Sequence, residues 1–173
     1  CLLQHRLELP TSVPAFDFTL ACSGYVYGLF VAKALIVSGA TDSILLITAD
    51  SYSRYLHPED RSTVTLFGDG AAALVAVGSE HPSAPAALGP QVVASRSRFY
   101  PDTERVMGWD IGSDGFRIVL SAEVPELVER DIDDDLRLGA GLAHLLHTGR
   151  RGVGKRAVVG NVDDLRPAPL VND

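Results

Sequence analysis

Cys22 stands between two segments of opposite pattern. Before it, residues 15–20 read Ala-Phe-Asp-Phe-Thr-Leu, which predicts a short strand with Phe16 and Phe18 on one face. After it, Tyr25 to Ser38 is almost wholly apolar, with Lys33 its only charge. That run is too long for a strand and predicts a helix buried on nearly all sides. Cys22 therefore falls where a strand turns into a helix. Unpaired N–H groups at a helix start, together with the helix dipole, favour an anion such as a thiolate. The small neighbours Ala21, Ser23 and Gly24 let a carbonyl come close. The chemistry such a place can do is nucleophilic attack on an acyl carbon. The competing reading is a small core cysteine, as free cysteines often are.

The elements that position Cys22 follow from the rest of the chain. Leu2 to Leu9 is a helical segment closed by Pro10. Gly39 suits the C-terminal cap of the long helix. Ile44 to Ala49 is a continuous apolar run, as in a strand covered on both faces. Strand, helix and strand in that order predict a βαβ unit and a parallel sheet. Asp50 to Arg61 is a polar loop or short helix holding His57-Pro58, with His57 read as a loop residue. Phe67 to Ala73 is a glycine turn that feeds a strand over Leu74 to Val77. The organisation expected is residues 1–80 carrying Cys22, a Pro/Ala-rich linker at 81–90, and a second region at 91–173. In that second region, strands are expected at Gln91–Ser95 and Phe116–Leu120, with Arg98 to Asp110 irregular. The second strand follows a Ser113-Asp114-Gly115 turn, and a helix runs from Pro125 to about Arg137.

With 173 residues and hydrophobic and charged fractions of 46% and 21%, the composition is that of a globular protein and not of a disordered one. A net charge of −7 argues against general nucleic-acid binding. No apolar run reaches membrane-spanning length, and no signal-type segment opens the sequence. Two cysteines, Cys1 and Cys22, make no disulfide framework, so a reducing, cytoplasmic setting is expected. No metal-ligand set is assigned. The chain opens on Cys1 and on what looks like the end of a helix, so a fragment of a longer protein is expected.

Three blocks then carry a resemblance. Ala21-Cys22-Ser23-Gly24-Tyr25, His57-Pro58-Glu59-Asp60-Arg61 and Leu66-Phe67-Gly68-Asp69-Gly70-Ala71-Ala72-Ala73 resemble, in order and spacing, β-ketoacyl-carrier-protein synthase III. The stretch from Val106-Met107-Gly108-Trp109-Asp110 through Gly115-Phe116-Arg117 to Val124-Pro125 is more similar to the chalcone-synthase group, the type III polyketide synthases. Both belong to the thiolase-like superfamily, and the resemblance covers roughly residues 1–137. It implies an α/β fold, the thiolase-like layered αβαβα arrangement, here incomplete, and a homodimer.

The resemblance implies that Cys22 accepts an acyl group, that Arg61 lies near the coenzyme A nucleotide, and that Phe67 lies beside the acyl tunnel. It asks for a histidine and an asparagine from the second half. His147, followed by Thr148-Gly149-Arg150, is the candidate histidine, with one glycine where a pair is expected. Asn161, followed by Val162-Asp163-Asp164, departs from the expected pattern and is given no role. The basic cluster Arg150, Arg151, Lys155 and Arg156 could meet coenzyme A phosphates or an acidic carrier protein, or be a solvated tail. The implied reaction is decarboxylative Claisen condensation of an acyl thioester with a malonyl thioester. Its partners would be acyl- and malonyl-coenzyme A or acyl carrier protein, with no permanently bound cofactor. The alternatives are a relative that holds an acyl chain or pairs with an active subunit without condensing, and, less in keeping with the three blocks, a cysteine hydrolase.

Overall fold

A computed structural model describes residues 2–61, 63–86, 89–133, 136 and 157–160. The elements run α1 (Leu2–Arg6), α2 (Gly24–Val37), β1 (Ser43–Asp50), β2 (Gly70–Gly78), β3 (Met107–Gly112), β4 (Gly115–Leu120), α3 (residues 124–133) and β5 (Ala157–Gly160). Single 3-10 turns lie at Ala21–Ser23, Tyr52–Arg54 and Ala84–Ala86. Among the described residues, no helix is long and apolar enough to cross a membrane.

The sheet has the order β1-β2-β5, and both of its pairings are antiparallel. β1 and β2 pair along their length, from Ser43 with Val77 to Asp50 with Gly70. The expected parallel βαβ unit is therefore not found among the described residues. Ala15 to Leu20 forms no strand. A strand is a paired state, and this segment, with Phe16 64% exposed, pairs with no described strand. Gln91 to Ser95 contributes one bridging residue and no strand. β3 forms where an irregular stretch was expected, because Met107–Gly112 pairs in register with Leu120–Gly115.

α2 lies on this sheet by one narrow stripe. Gly28, Ala32 and Ile36, four residues apart, are its buried positions. Ala32 and Ile36 pack with Ala76, and Ile44 and Leu74 close around them. At Gly28 the approach is tightest: an added Cβ would lie 2.8 and 2.9 Å from the two δ-methyls of Leu46 and 3.3 Å from Phe18 Cζ. The helix stops as its sequence indicates. Gly39 takes φ +78°, its N–H donates to Ile36 O at 3.1 Å, and Ala40 N–H donates to Leu35 O at 3.0 Å. Those two bonds are the Schellman pattern.

Burial on nearly all sides is not observed among the described residues. Tyr25, Val26, Phe30 and Val37 on α2 are exposed, as are Leu45 and Ile47 on the outer face of β1. Lys33 has a local explanation, since its Nζ donates to Val93 O at 2.5 Å. With a bond between the Tyr27 and Ser97 hydroxyls, it ties the segment after the expected linker to α2.

Candidate active site

The 3-10 turn Ala21–Ser23 delivers Cys22 to the start of α2. Ala21 adopts φ +46°, a left-handed conformation that costs a residue with a Cβ about 1–2 kcal/mol. Two local bonds hold it: Ser23 Oγ donates to Leu20 O at 2.7 Å, and Gly24 N–H donates to Ala21 O. No side chain caps the first turn of α2. Cys22 is a free thiol and is exposed. A strained turn that presents an accessible thiol at an uncapped helix start meets the geometric needs of a nucleophile.

Tyr52, Tyr55, Phe67, Trp109 and Phe116 form a cluster of five half-buried rings. Tyr52 is the hub. Its ring centroid lies 5.3 Å from Phe67, 5.5 Å from Tyr55 and 5.8 Å from Trp109, the last stacked at 21°. Trp109 and Tyr55 each reach Phe116, at 5.9 and 5.7 Å. Burial pushes the Tyr52 phenol above its usual range, and the negative charge of Asp50, then of Cys22 when ionised, adds to the effect. Tyr52 thus lies within electrostatic reach of Cys22 and keeps its proton at neutral pH.

Asp69 fixes the turn that carries Tyr52. It accepts from Ser53 N at 2.8 Å and from Ser53 Oγ at 2.5 Å. The Ser53 hydroxyl, then its N–H, hold the Asp69 carboxyl below the usual carboxylate range. Two residues on from Tyr55, His57 is buried and bonded to the β3–β4 turn.

Of the residues singled out from sequence, Phe67 packs against Tyr52, and the Tyr52 phenol lies within electrostatic reach of Cys22. Arg61 is exposed in the turn after Asp60, its N–H donating to Glu59 O at 2.8 Å. His147, Arg150, Arg151, Lys155, Arg156 and Asn161 lie outside the described residues, as does Cys1. Sequence reasoning missed Tyr52, Tyr55 and Trp109. The Tyr-x-x-Tyr spacing just before the His57 block and the chain's single tryptophan were the available signals.

Comparison with known proteins finds similar sequences and similar folds. Residues 16–89 match the family model of 3-oxoacyl-[acyl-carrier-protein (ACP)] synthase III. Over 78 residues the chain is 51% identical to β-ketoacyl-[acyl-carrier-protein] synthase III 3 of Streptomyces coelicolor, covering 45% of this chain and 23% of that protein. It is 57% identical over 72 residues to the synthase III of Chlamydia caviae, covering 42% and 21%. The crystal structure of 3-oxoacyl-[acyl-carrier-protein] synthase III from Aquifex aeolicus superposes with a TM-score of 0.67 at 33% identity, over 83% of this chain and 44% of that one. A second synthase III structure gives 0.52 at 36% identity, over 84% and 47%. The chain thus spans less than half the length of these relatives. Within that span, by sequence match and by superposition, it resembles 3-oxoacyl-[acyl-carrier-protein] synthase III and has part of that enzyme's thiolase-like α/β fold.

Proposed function

We propose that the chain is part of an acyltransferase that joins an acyl thioester to a malonyl thioester through an acyl group carried on Cys22. The observation that carries this reading is the exposed Cys22 on its strained turn at the start of α2, inside the segment that matches synthase III. In the first half-reaction the Cys22 thiolate attacks the starter carbonyl, a new thioester forms, and the coenzyme A or carrier thiol leaves. In the second, the malonyl thioester loses carbon dioxide, and the resulting enolate attacks the Cys22 thioester. The β-ketoacyl product departs and the Cys22 thiolate is restored.

Phe67, with the ring cluster around it, lines the acyl group, and Arg61 meets the coenzyme A nucleotide. His147 donates to the enolate oxygen, where removal of one donor costs on the order of 100- to 1000-fold in comparable sites. The product is of fatty-acid or polyketide type, the working form is a homodimer in the cytoplasm, and no cofactor is held permanently. Residues 1–80 supply the nucleophile and residues 91–173 the enolate contacts, joined at 81–90.

Intact-mass measurement tests the reading. Acyl-coenzyme A adds one acyl mass, Cys22→Ala abolishes the adduct, and His147→Ala leaves it in place while slowing loss of carbon dioxide from malonyl-coenzyme A. Label on Cys1 with Cys22 free would show the nucleophile to be misassigned. An adduct without condensation product favours the acyl-holding relative.

A further inference from the structure

We propose that His57 is a positioning residue that holds the β3–β4 hairpin, and with it Trp109, against Tyr52, and thereby sets how bulky an acyl group Cys22 accepts. The proposal rests on the acyltransfer reading above.

Both nitrogens of the buried His57 ring are used. Glu59 N–H donates to Nδ1 at 3.2 Å, so Nε2 carries the proton and donates to Asp114 Oδ2 at 3.1 Å. The same oxygen accepts from the Arg117 guanidinium at 3.1 Å. The Arg117 bond holds the Asp114 carboxyl below its usual range, so Asp114 is a charged acceptor at neutral pH. Asp114 sits in the turn between β3 and β4, so this bond grips the hairpin at its tip.

The backbone adds to the grip. His57 N–H donates to Phe116 O at 2.8 Å, Phe116 N–H donates to Tyr55 O at 3.0 Å, and Ile118 N–H donates to Asp60 Oδ2 at 3.2 Å. Gly115, at φ +135°, lies so close that an added Cβ would be 3.2 Å from His57 Cα.

From the tip the hairpin carries Phe116 on β4 and Trp109 on β3 into the ring cluster. Trp109 stacks on Tyr52, and Tyr52 packs at 5.3 Å on Phe67, the ring that lines the acyl group in the acyltransfer reading. The position of the hairpin therefore decides how closely Trp109 backs Tyr52 and, through it, Phe67. The two backbone bonds and the bond from Ile118 N–H to the Asp60 carboxylate do not use the His57 side chain, so its loss loosens the hairpin without releasing it. The expected consequence is altered size selection.

The test uses the whole chain with His57→Ala, His57→Gln and Asp114→Asn. Gln restores a donor near the Nε2 position, and Asp114 is exposed enough for Asn to be tolerated in the fold. Trp109 is the only tryptophan, so its emission reports hairpin packing directly. His57→Ala and Asp114→Asn should red-shift the emission and increase its quenching by acrylamide, and His57→Gln should return both toward wild type. The ratio of acylation rates with long and short acyl-coenzyme A should move by about threefold to tenfold, the population shift that one hydrogen bond carries. Iodoacetamide, too small to sense the wall, should alkylate Cys22 at the wild-type rate. Unchanged Trp109 emission in both His57→Ala and Asp114→Asn overturns the latch. Shifted emission with an unchanged chain-length ratio overturns its role in selectivity. A wild-type chain that accepts no acyl group at Cys22 overturns the acyltransfer reading instead, and the selectivity role with it.

Discussion

Gly28→Ala offers a test in which two known effects oppose each other. Inside an exposed helix, alanine is better than glycine by about 0.8–1.0 kcal/mol, so propensity alone predicts a gain. At Gly28 the new methyl would meet both δ-methyls of Leu46 at 2.8 and 2.9 Å. Rotation of χ2 replaces one methyl by the other, so relief requires a change of χ1 or retreat of α2 from β1. Overpacking of this kind costs about 1–3 kcal/mol. The collision outweighs propensity, and Gly28→Ala should destabilise by about 1 kcal/mol, a fall in Tm of roughly 2–4 °C for a chain of this size. In a Leu46→Ala background the obstacle is gone and Phe18, a partly exposed ring, can give way. There the same substitution should stabilise by about 1 kcal/mol. Urea denaturation of the four proteins measures the cycle. If Gly28→Ala stabilises equally in both backgrounds, α2 does not approach β1 as closely as described.

Three further outcomes follow from a side-chain clamp, a backbone conformation and an exposed surface. The depressed Asp69 carboxyl adds stability above the ordinary carboxylate range and loses it as pH falls through its lowered folded value. The wild-type urea midpoint should therefore fall more steeply than that of Asp69→Asn from about pH 4 downward, and parallel curves would remove the Ser53 clamp from the account. Gly39→Ala should cost about 1–2 kcal/mol, because φ +78° is strained for a Cβ even though nothing crowds it; Gly39→Asn should cost less, and equal losses would point to a cause other than backbone conformation. Sedimentation at tens of micromolar should find a dimer or larger species, since Phe16, Phe18, Leu20, Tyr25 and Phe30 all lie exposed in the lone chain. A well-behaved monomer would count against association through that surface.

What could be read from the sequence was local. The turn before α2, its Schellman stop at Gly39, the apolar run of β1 and the Ser113-Asp114-Gly115 turn each depend on residues within a few positions of one another. The features that were not legible depend on segments brought together from afar. Strand direction was misjudged because β1 finds its partner at Gly70–Gly78 and not at Ala15–Leu20. The ring cluster draws on Tyr52, Phe67 and Trp109, and its geometry exists only once β3 and β4 have paired. His57 read as a loop residue because its partner, Asp114, is 57 positions away.

The burial of α2 was overstated for a different reason. A helix that is apolar all round has no polar face, so its pattern asks for cover on every side without saying what provides it. The side that meets the sheet is marked by size, not by hydrophobicity: Gly28 and Ala32 are the residues that allow Leu46 and Ala76 to come close, and Ile36 completes the line. The larger Tyr25, Val26, Phe30 and Val37 face away and are left open. β1 repeats the division, with Leu46 turned toward α2 and Leu45 and Ile47 exposed on its other face. Both elements thus present a second apolar face beyond the one they share. A layered fold requires that, because an inner helix and an inner sheet must each be covered twice. The excess hydrophobicity of residues 25–49 is then the sequence trace of layers that these residues adjoin and do not themselves form.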